Sequence, residues 1–182
     1  MKQSLQAQTR VPSPLGPLTL AATERGLAIV WFDDQAHRTL EVDAPVDPTQ
    51  PHVALAAREF EAYWQDARTR FTVPLDAAGT NFQQAVWMAL LDIESGTLST
   101  YGDVAKKIGK PHAVRAVGAA VGRNPLGIIV PCHRVVGSDG SLTGYAGGLP
   151  RKQALLQHEG ALGATAGLFG LTAPQPASLG AG

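Results

Sequence analysis

The sequence has a single cysteine, no surplus of either charge and no long apolar run. One cysteine excludes an internal disulfide and a metal cage of several thiolates. No stretch approaches the roughly 18 apolar residues of a membrane span, and residues 1–15 lack the apolar core of a signal peptide. The expected protein therefore has no membrane partner and a cytoplasmic location. Fifteen Lys and Arg are balanced by fifteen Asp and Glu, which on its face argues against a polyanion partner. What is present is ordinary: 182 residues, 45% hydrophobic and 16% charged, enough for one domain or two small ones with a real core.

The zero charge is a cancellation. Residues 1–99 carry seven Lys/Arg against twelve Asp/Glu, a net of −5. Residues 100–152 carry eight (Lys106, Lys107, Lys110, Arg115, Arg123, Arg134, Arg151, Lys152) against Asp103 and Asp139, a net of +6. Residues 153–182 add only Glu159. A basic block of this size is either a solvated surface or a polyanion-binding face.

The front of the chain reads as a small sheet with a helix. Two apolar runs, 18–22 and 27–32, flank Thr23-Glu24-Arg25-Gly26, a hairpin in which Gly26 would supply a positive φ. Residues 37–50 read as a loop. Residues 52–67 read as a helix with Val53, Ala56, Phe60 and Trp64 at helical spacing, and residues 70–75 as another strand. After a linker at 76–79, Thr80 offers an N-cap to a helix with Phe82, Val86, Leu90 and Ile93 on one face.

Thr100 followed by Asp103 resembles a capping box opening a short helix, 102–108, which Gly109 ends. A second helix, 112–122, follows the Lys110-Pro111 turn, and the pair fits a helix-turn-helix. Val114, Val117 and Val121 form its core stripe, while Arg115, Ala116, Ala119, Gly122 and Arg123 gather opposite. Small residues flanked by arginines suit close approach to a nucleic acid, although Ala and Gly serve close helix packing equally well. Residues 149–158 read as a last helix, and 161–182, without a charge, as a mobile tail. The fold class expected is α+β: a small N-terminal sheet and helix (1–78), then a mostly helical domain with the helix-turn-helix (79–160).

Cys132 ends the apolar run 127–130, which reads as a buried strand stopped by Pro131. A free cysteine is usually buried and inert, but His133 and Arg134 beside it would favour the nucleophilic thiolate. Asn124 before Pro125 is a helix terminator or a brace for the loop to Cys132. Tyr101 is a core aromatic or a phenol donor. Glu159 is a solvated carboxylate or the group that orients an imidazole.

Several blocks carry a resemblance: Pro131-Cys132-His133-Arg134-Val135-Val136, Gly144-Tyr145-Ala146-Gly147-Gly148, Lys152 to Leu155-Leu156, and Glu159-Gly160. Tyr101-Gly102, Arg115-Ala116-Val117-Gly118 and Asn124-Pro125 stand upstream in order. Over about residues 80–160, and more weakly at Ser13-Pro14-Leu15-Gly16 and the hairpin, the chain resembles the O6-alkylguanine-DNA alkyltransferases. The resemblance implies that Cys132 accepts the alkyl group, with His133 as base through a water, Glu159 behind it and Asn124 bracing the site. It implies that Tyr101 donates a proton toward the guanine and crowds a rotating phosphate. Arg115 would fill the gap left in the base stack, and Val135, Tyr145, Ala146 and Gly147 would line the base pocket. The helix from His112 would lie in the minor groove of double-stranded DNA containing O6-alkylguanine, bound by a monomer. Ala146 stands where some relatives have Ser, removing a pocket hydroxyl, and the front module lacks the cysteines with which some relatives hold zinc. The reaction implied is direct, irreversible and stoichiometric, one lesion per protein molecule, with no metal or organic cofactor, and the resemblance implies a place at the nucleoid if the source is bacterial. The alternatives are a lesion-binding protein that does no chemistry, a turnover thiol hydrolase, and a plain helix-turn-helix regulator.

Overall fold

The structure is a computed structural model that describes residues 4–35 and 42–163. The expected tail beyond 163, and residues 37–41 of the expected loop, lie outside the described residues. Three strands, β1 (Ala7–Val11), β2 (Leu18–Ala22) and β3 (Leu27–Phe32), form an antiparallel meander. Every residue of β2 and β3 is buried, because the sheet is covered on both faces. Leu18, Leu20, Leu27, Val30 and Phe32 enter the main core. Ala21, Ala28, Ile29 and Trp31 form a second cluster with Leu5 and Val42. Strict alternation breaks where the register shifts between Ala21 and Ala22: Ala21 pairs with Ile29 but Ala22 with Leu27, leaving Ala28 as the extra residue of a bulge.

The hairpin glycine has a different reason from the one expected. Gly26 does not have a positive φ. A Cβ there would stand 2.5 Å from the Pro74 carbonyl oxygen, so glycine is required by close approach of the backbone. Residues 70–75 do not form a strand: only Leu75 makes a bridge, to Leu27, with Leu27 N donating to Pro74 O at 2.7 Å. The outer edge of β3 is closed further along by the cysteine loop, where Val30 N donates to Pro125 O at 2.8 Å and Gly127 N to Val30 O at 2.9 Å.

Helix α1 (Pro51–Gln65) packs on β2 and β3 and buries Val53, Ala56, Phe60 and Tyr63, so Tyr63 holds the inward position while Trp64 is half-buried. Thr80 caps α2 (Asn81–Leu91) through a full capping box with Gln83, worth about 1 kcal/mol. The Thr100 side chain accepts from Asp103 N to start α3 (Tyr101–Lys107), which directly follows the two-residue strand β4 (Ser99–Thr100). Gly109, at φ 70°, turns the chain, and α4 (Val114–Gly122) follows. The Ala113 N-cap offers no side-chain acceptor, and α4 starts two residues later than expected. Its core stripe is Val117, Ala120 and Val121; Val114 is 40% exposed and lies outside it. Trp87 of α2 donates its indole N–H to the Ala120 carbonyl at 2.9 Å, pinning α4. A 3-10 turn, Cys132–Arg134, leads into β5 (Val135–Val136), paired in parallel with β4, and α5 (Leu149–His158) completes the fold. One continuous core runs from Leu20 and Phe60 through Val86 and Val117 to Leu155, so the front module and the helical part support one another. The fold is α+β with the helix-turn-helix, as expected. No helix among the described residues is long and apolar enough to cross a membrane.

Candidate active site

The apolar run 127–130 is not a strand. The single bridge nearby joins Leu126, just before the run, to Val30, and Ile128 sits at φ 71°, where β-branched residues are rarely found. The run is apolar because the loop is buried, with Leu126, Ile128, Ile129 and Val130 all in the core. Asn124, itself buried, holds this loop. Its Nδ2 donates to Val130 O at 2.8 Å and to Cys132 Sγ at 3.2 Å, and its Oδ1 accepts from Leu126 N at 2.9 Å. One amide thus fixes both ends of a strained loop and touches the thiol.

His133 and Glu159 are brought together from 26 residues apart, with Nε2 to Oε1 at 2.8 Å and both side chains fully buried. Because the carboxylate can only accept, Nε2 carries the proton and Nδ1 is left as an acceptor. Nδ1 has no hydrogen-bond partner among the described residues. Burial pushes the His133 pKa below its ordinary value, against the pull of Glu159, so the imidazole is neutral near neutral pH. Burial pushes the Glu159 carboxyl up, but hydrogen bonds and charge from His133 and Arg134 outweigh this and bring it to about 2. With His133 neutral, the lasting charge that keeps Glu159 ionised is that of Arg134.

The thiol does not have the environment expected from its neighbours. Arg134 points away from it, donating Nε to Glu159 Oε2 and Nη2 to Oε1, both at 2.9 Å, and Nη1 to the Ile93 carbonyl. Burial raises the Cys132 pKa, while the Asn124 hydrogen bond and the Lys152 charge act to lower it. In the resting protein Cys132 is therefore a thiol that needs a base to become a nucleophile. Lys152, counted in the basic block and quoted in one of the matched blocks without a role, is fully buried. Its Nζ donates to Val135 O at 2.5 Å and Thr143 O at 2.7 Å, and burial lowers its pKa to about 8.

Tyr101 donates its hydroxyl to Thr143 O at 3.1 Å, so Lys152 and Tyr101 hold the same carbonyl. Tyr145 stands edge-on to His133, ring centroids 6.5 Å apart, and Val135 is buried directly after the 3-10 turn. Gly147 is buried where a Cβ would lie 2.7 Å from Tyr145 Cε1 and 3.1 Å from Phe32 Cδ2, with Ala146 half-buried beside it. Arg115, Ala116, Ala119, Gly122 and Arg123 are all exposed along α4. The basic block divides: Arg134 and Lys152 are internal, and Arg151 pairs with Asp34 at 2.9 Å and lies over the Phe32 ring. Lys106 and Lys107 face Asp103 and Asp92. Lys110, Arg115 and Arg123 make no ion pair among the described residues, and all three lie on the turn and α4. The residue that sequence reasoning missed is Tyr63, whose hydroxyl donates to Glu159 Oε1 at 2.8 Å.

These features define a class: an α+β protein with a helix-turn-helix beside a buried thiol, an amide that holds it and a His–Glu pair. Comparison with known proteins gives that class a family. The family profile "6-O-methylguanine DNA methyltransferase, DNA binding domain" matches residues 81–161, and "6-O-methylguanine DNA methyltransferase, ribonuclease-like domain" matches residues 8–77. A methylated-DNA–protein-cysteine methyltransferase of Methanosarcina barkeri is 46% identical over 149 residues, 82% of this chain and 94% of that protein. One from Mycobacterium tuberculosis is also 46% identical, over 82% of this chain and 89% of its own length. The crystal structure of Mycobacterium tuberculosis OGT in complex with DNA superposes with a TM-score of 0.77 at 45% identity, covering 85% of this chain and 93% of that one. The chain belongs to the 6-O-methylguanine DNA methyltransferase family.

Proposed function

We propose that the chain repairs DNA by taking the alkyl group from O6-alkylguanine onto Cys132, in one irreversible transfer per protein molecule. It is a methylated-DNA–protein-cysteine methyltransferase, acting by direct reversal of the lesion. The observation that carries the chemistry is the buried Cys132 thiol held by Asn124, next to a neutral His133 whose proton is fixed on the Glu159 side. A base with a free acceptor nitrogen beside a thiol is what a buried cysteine needs to react.

His133 Nδ1 takes the thiol proton through a water, and the imidazolium formed is stabilised by Glu159. The Cys132 sulfur attacks the alkyl carbon in line; the S–C bond forms, the C–O6 bond breaks, and the electron pair goes to the guanine. Tyr101 gives a proton to the guanine ring, and the imidazolium returns its proton through solvent to the tyrosinate, so that both side chains end neutral and one proton has moved from thiol to leaving base. The thioether product has no hydrolytic route back to the thiol, so the protein is spent.

The lesion's O6 substituent is hidden in the duplex, so the base must leave the stack, at a cost of roughly a few kcal/mol. Arg115 fills the gap, α4 lies in the minor groove with Ala116, Ala119, Gly122 and Arg123 against the backbone, and Tyr101 crowds the phosphate that rotates. Val135, Tyr145, Ala146 and Gly147 line the pocket for the extruded base. Residues 79–160 carry these contacts and residues 1–78 buttress them, in a monomer working in the cytoplasm. The three unpaired cations on the turn and α4 support modest, salt-sensitive binding.

The test is a titration. With a duplex containing O6-methylguanine in excess, repaired guanine plateaus at the amount of protein supplied, and Cys132→Ala binds the duplex without repairing it. Continued turnover, or repair by Cys132→Ala, would overturn the assignment. A lesion binder without chemistry would give no plateau at all.

A further inference from the structure

Glu159 Oε1 carries three donors: His133 Nε2 at 2.8 Å, Tyr63 OH at 2.8 Å and Arg134 Nη2 at 2.9 Å, while Oε2 takes Arg134 Nε at 2.9 Å. The first and last of these groups belong to the cysteine segment. Tyr63 comes from α1, in the front module, 96 residues away in sequence. We infer that Tyr63 is a positioning residue for the alkyl transfer: its hydroxyl fixes the Glu159 carboxylate against His133 and limits how strongly that carboxylate draws on the imidazole. The inference rests on the alkyl-transfer reading of Cys132.

A carboxylate oxygen offers about two lone pairs, and Oε1 is already shared among three donors, so each weakens the others' hold. Burial and the neighbouring Glu159 charge push the Tyr63 phenol far above its ordinary range, so it donates throughout the working pH range. Its ring is seated independently, edge-on to Trp64 at 5.0 Å and to His158 at 5.1 Å, and tilted against Phe71 at 5.6 Å. The His158 imidazole binds the Tyr63 carbonyl at 2.8 Å, holding the backbone at that point. The hydroxyl is thus delivered to Glu159 by packing that does not depend on the hydrogen bond.

The groups that face His133 are Glu159, Arg134, Lys152, Cys132 and Tyr145; those that face Tyr63 are Glu159, Arg134, Tyr145 and His158. Tyr63→Phe removes one donor from Oε1 and leaves all the others in place. The carboxylate then becomes more basic, pulls harder on Nε2–H, and raises the basicity of the imidazole. His133 must be neutral to take the thiol proton, so the acid limb of the rate profile follows its titration. Loss of the hydroxyl moves both upward.

The experiment measures single-turnover methyl transfer from an O6-methylguanine duplex as a function of pH, for the wild type, Tyr63→Phe and Phe60→Leu. His133 is titrated by NMR in the same unreacted proteins. Phe60→Leu loosens the same core without touching Glu159 and controls for lost stability. The expected result for Tyr63→Phe is an acid limb and a His133 titration both shifted upward by about half a pH unit or more, roughly a threefold loss of rate on that limb. Phe60→Leu lowers the melting temperature and leaves both positions alone. An unmoved limb and titration in Tyr63→Phe, or an equal shift in Phe60→Leu, overturns the positioning role. If the wild type transfers no methyl group, the alkyl-transfer reading fails instead, and the NMR titration alone decides whether Tyr63 governs His133.

Discussion

Replacing Glu159 by Gln keeps the size of the side chain and removes its charge. In the native protein the Glu159 carboxyl titrates at about 2 against an ordinary value of 4.5. That difference converts to roughly 3 kcal/mol of stability at neutral pH. The folded pKa is depressed, so the contribution is complete above the unfolded value, near 4.5, and is lost as pH falls toward 2. At pH 3 only about 1 kcal/mol should remain. The variant also leaves the Arg134 guanidinium, 12% exposed, without its anion, and breaking a buried pair from one side typically costs about 3–5 kcal/mol. Both routes give a loss of about 3 kcal/mol or more, a large part of a total stability of roughly 5–15 kcal/mol. The assay is urea unfolding of wild type and Glu159→Gln at pH 7 and pH 3, compared as a difference so that other carboxylates cancel. A loss below about 1 kcal/mol at pH 7, or the same loss at both pH values, refutes the ionised-hub reasoning.

Asn124→Ala removes three hydrogen bonds, leaves Leu126 N–H buried without its partner and reduces Val130 C=O to its bond from Cys132 N. It should cost about 2–3 kcal/mol in thermal or urea unfolding and slow the reaction, and an unchanged stability would remove the loop-holding role. Arg123→Ala should reduce the slope of log K against log salt by about 0.9 in duplex-binding titrations, leaving the free-base reaction intact. Arg115→Ala should lose repair of duplex more than reaction with a free O6-alkylguanine base; an equal fall in both contradicts its place in the base stack. Gly147→Ala sets a Cβ 2.7 Å from the Tyr145 ring edge and 3.1 Å from Phe32. It should cost about 1–3 kcal/mol and slow transfer by moving Tyr145, measured by melting and single-turnover rates.

Much of the fold is legible because its signals are local. The capping residues Thr80 and Thr100, the turn at Gly109 and the helix Leu149–His158 are set by neighbours a few residues apart. The misreadings share a physical cause. Residues 70–75 look like a strand because Phe71, Val73 and Leu75 alternate with exposed Arg70, Thr72 and Pro74, and 127–130 because the run is apolar; yet β3 is bridged only by Leu75 and by Leu126, just before the second run, which contains a left-handed Ile128. The lysines and arginines of the basic block look alike in sequence, but Lys152 and Arg134 are turned inward by a carbonyl pair and by Glu159. Cys132, His133 and Asn124 stand out in the sequence by clustering and residue type. That Glu159 is the hub depends on a contact across 26 residues, and Tyr63 on one across 96, which no local spacing encodes. The only available sign was the inward stripe of α1, where Tyr63 sits one residue before the Trp64 read as its fourth member.

The central claim is covalent transfer to Cys132 driven by the Asn124, His133 and Glu159 arrangement. Its most direct test is the intact mass of the protein after incubation with a duplex containing O6-methylguanine, followed by peptide mapping. The account predicts a gain of one methyl group, located on Cys132, in amount equal to the guanine restored. Repaired DNA with unmodified protein, or a methyl group on any other residue, would contradict it.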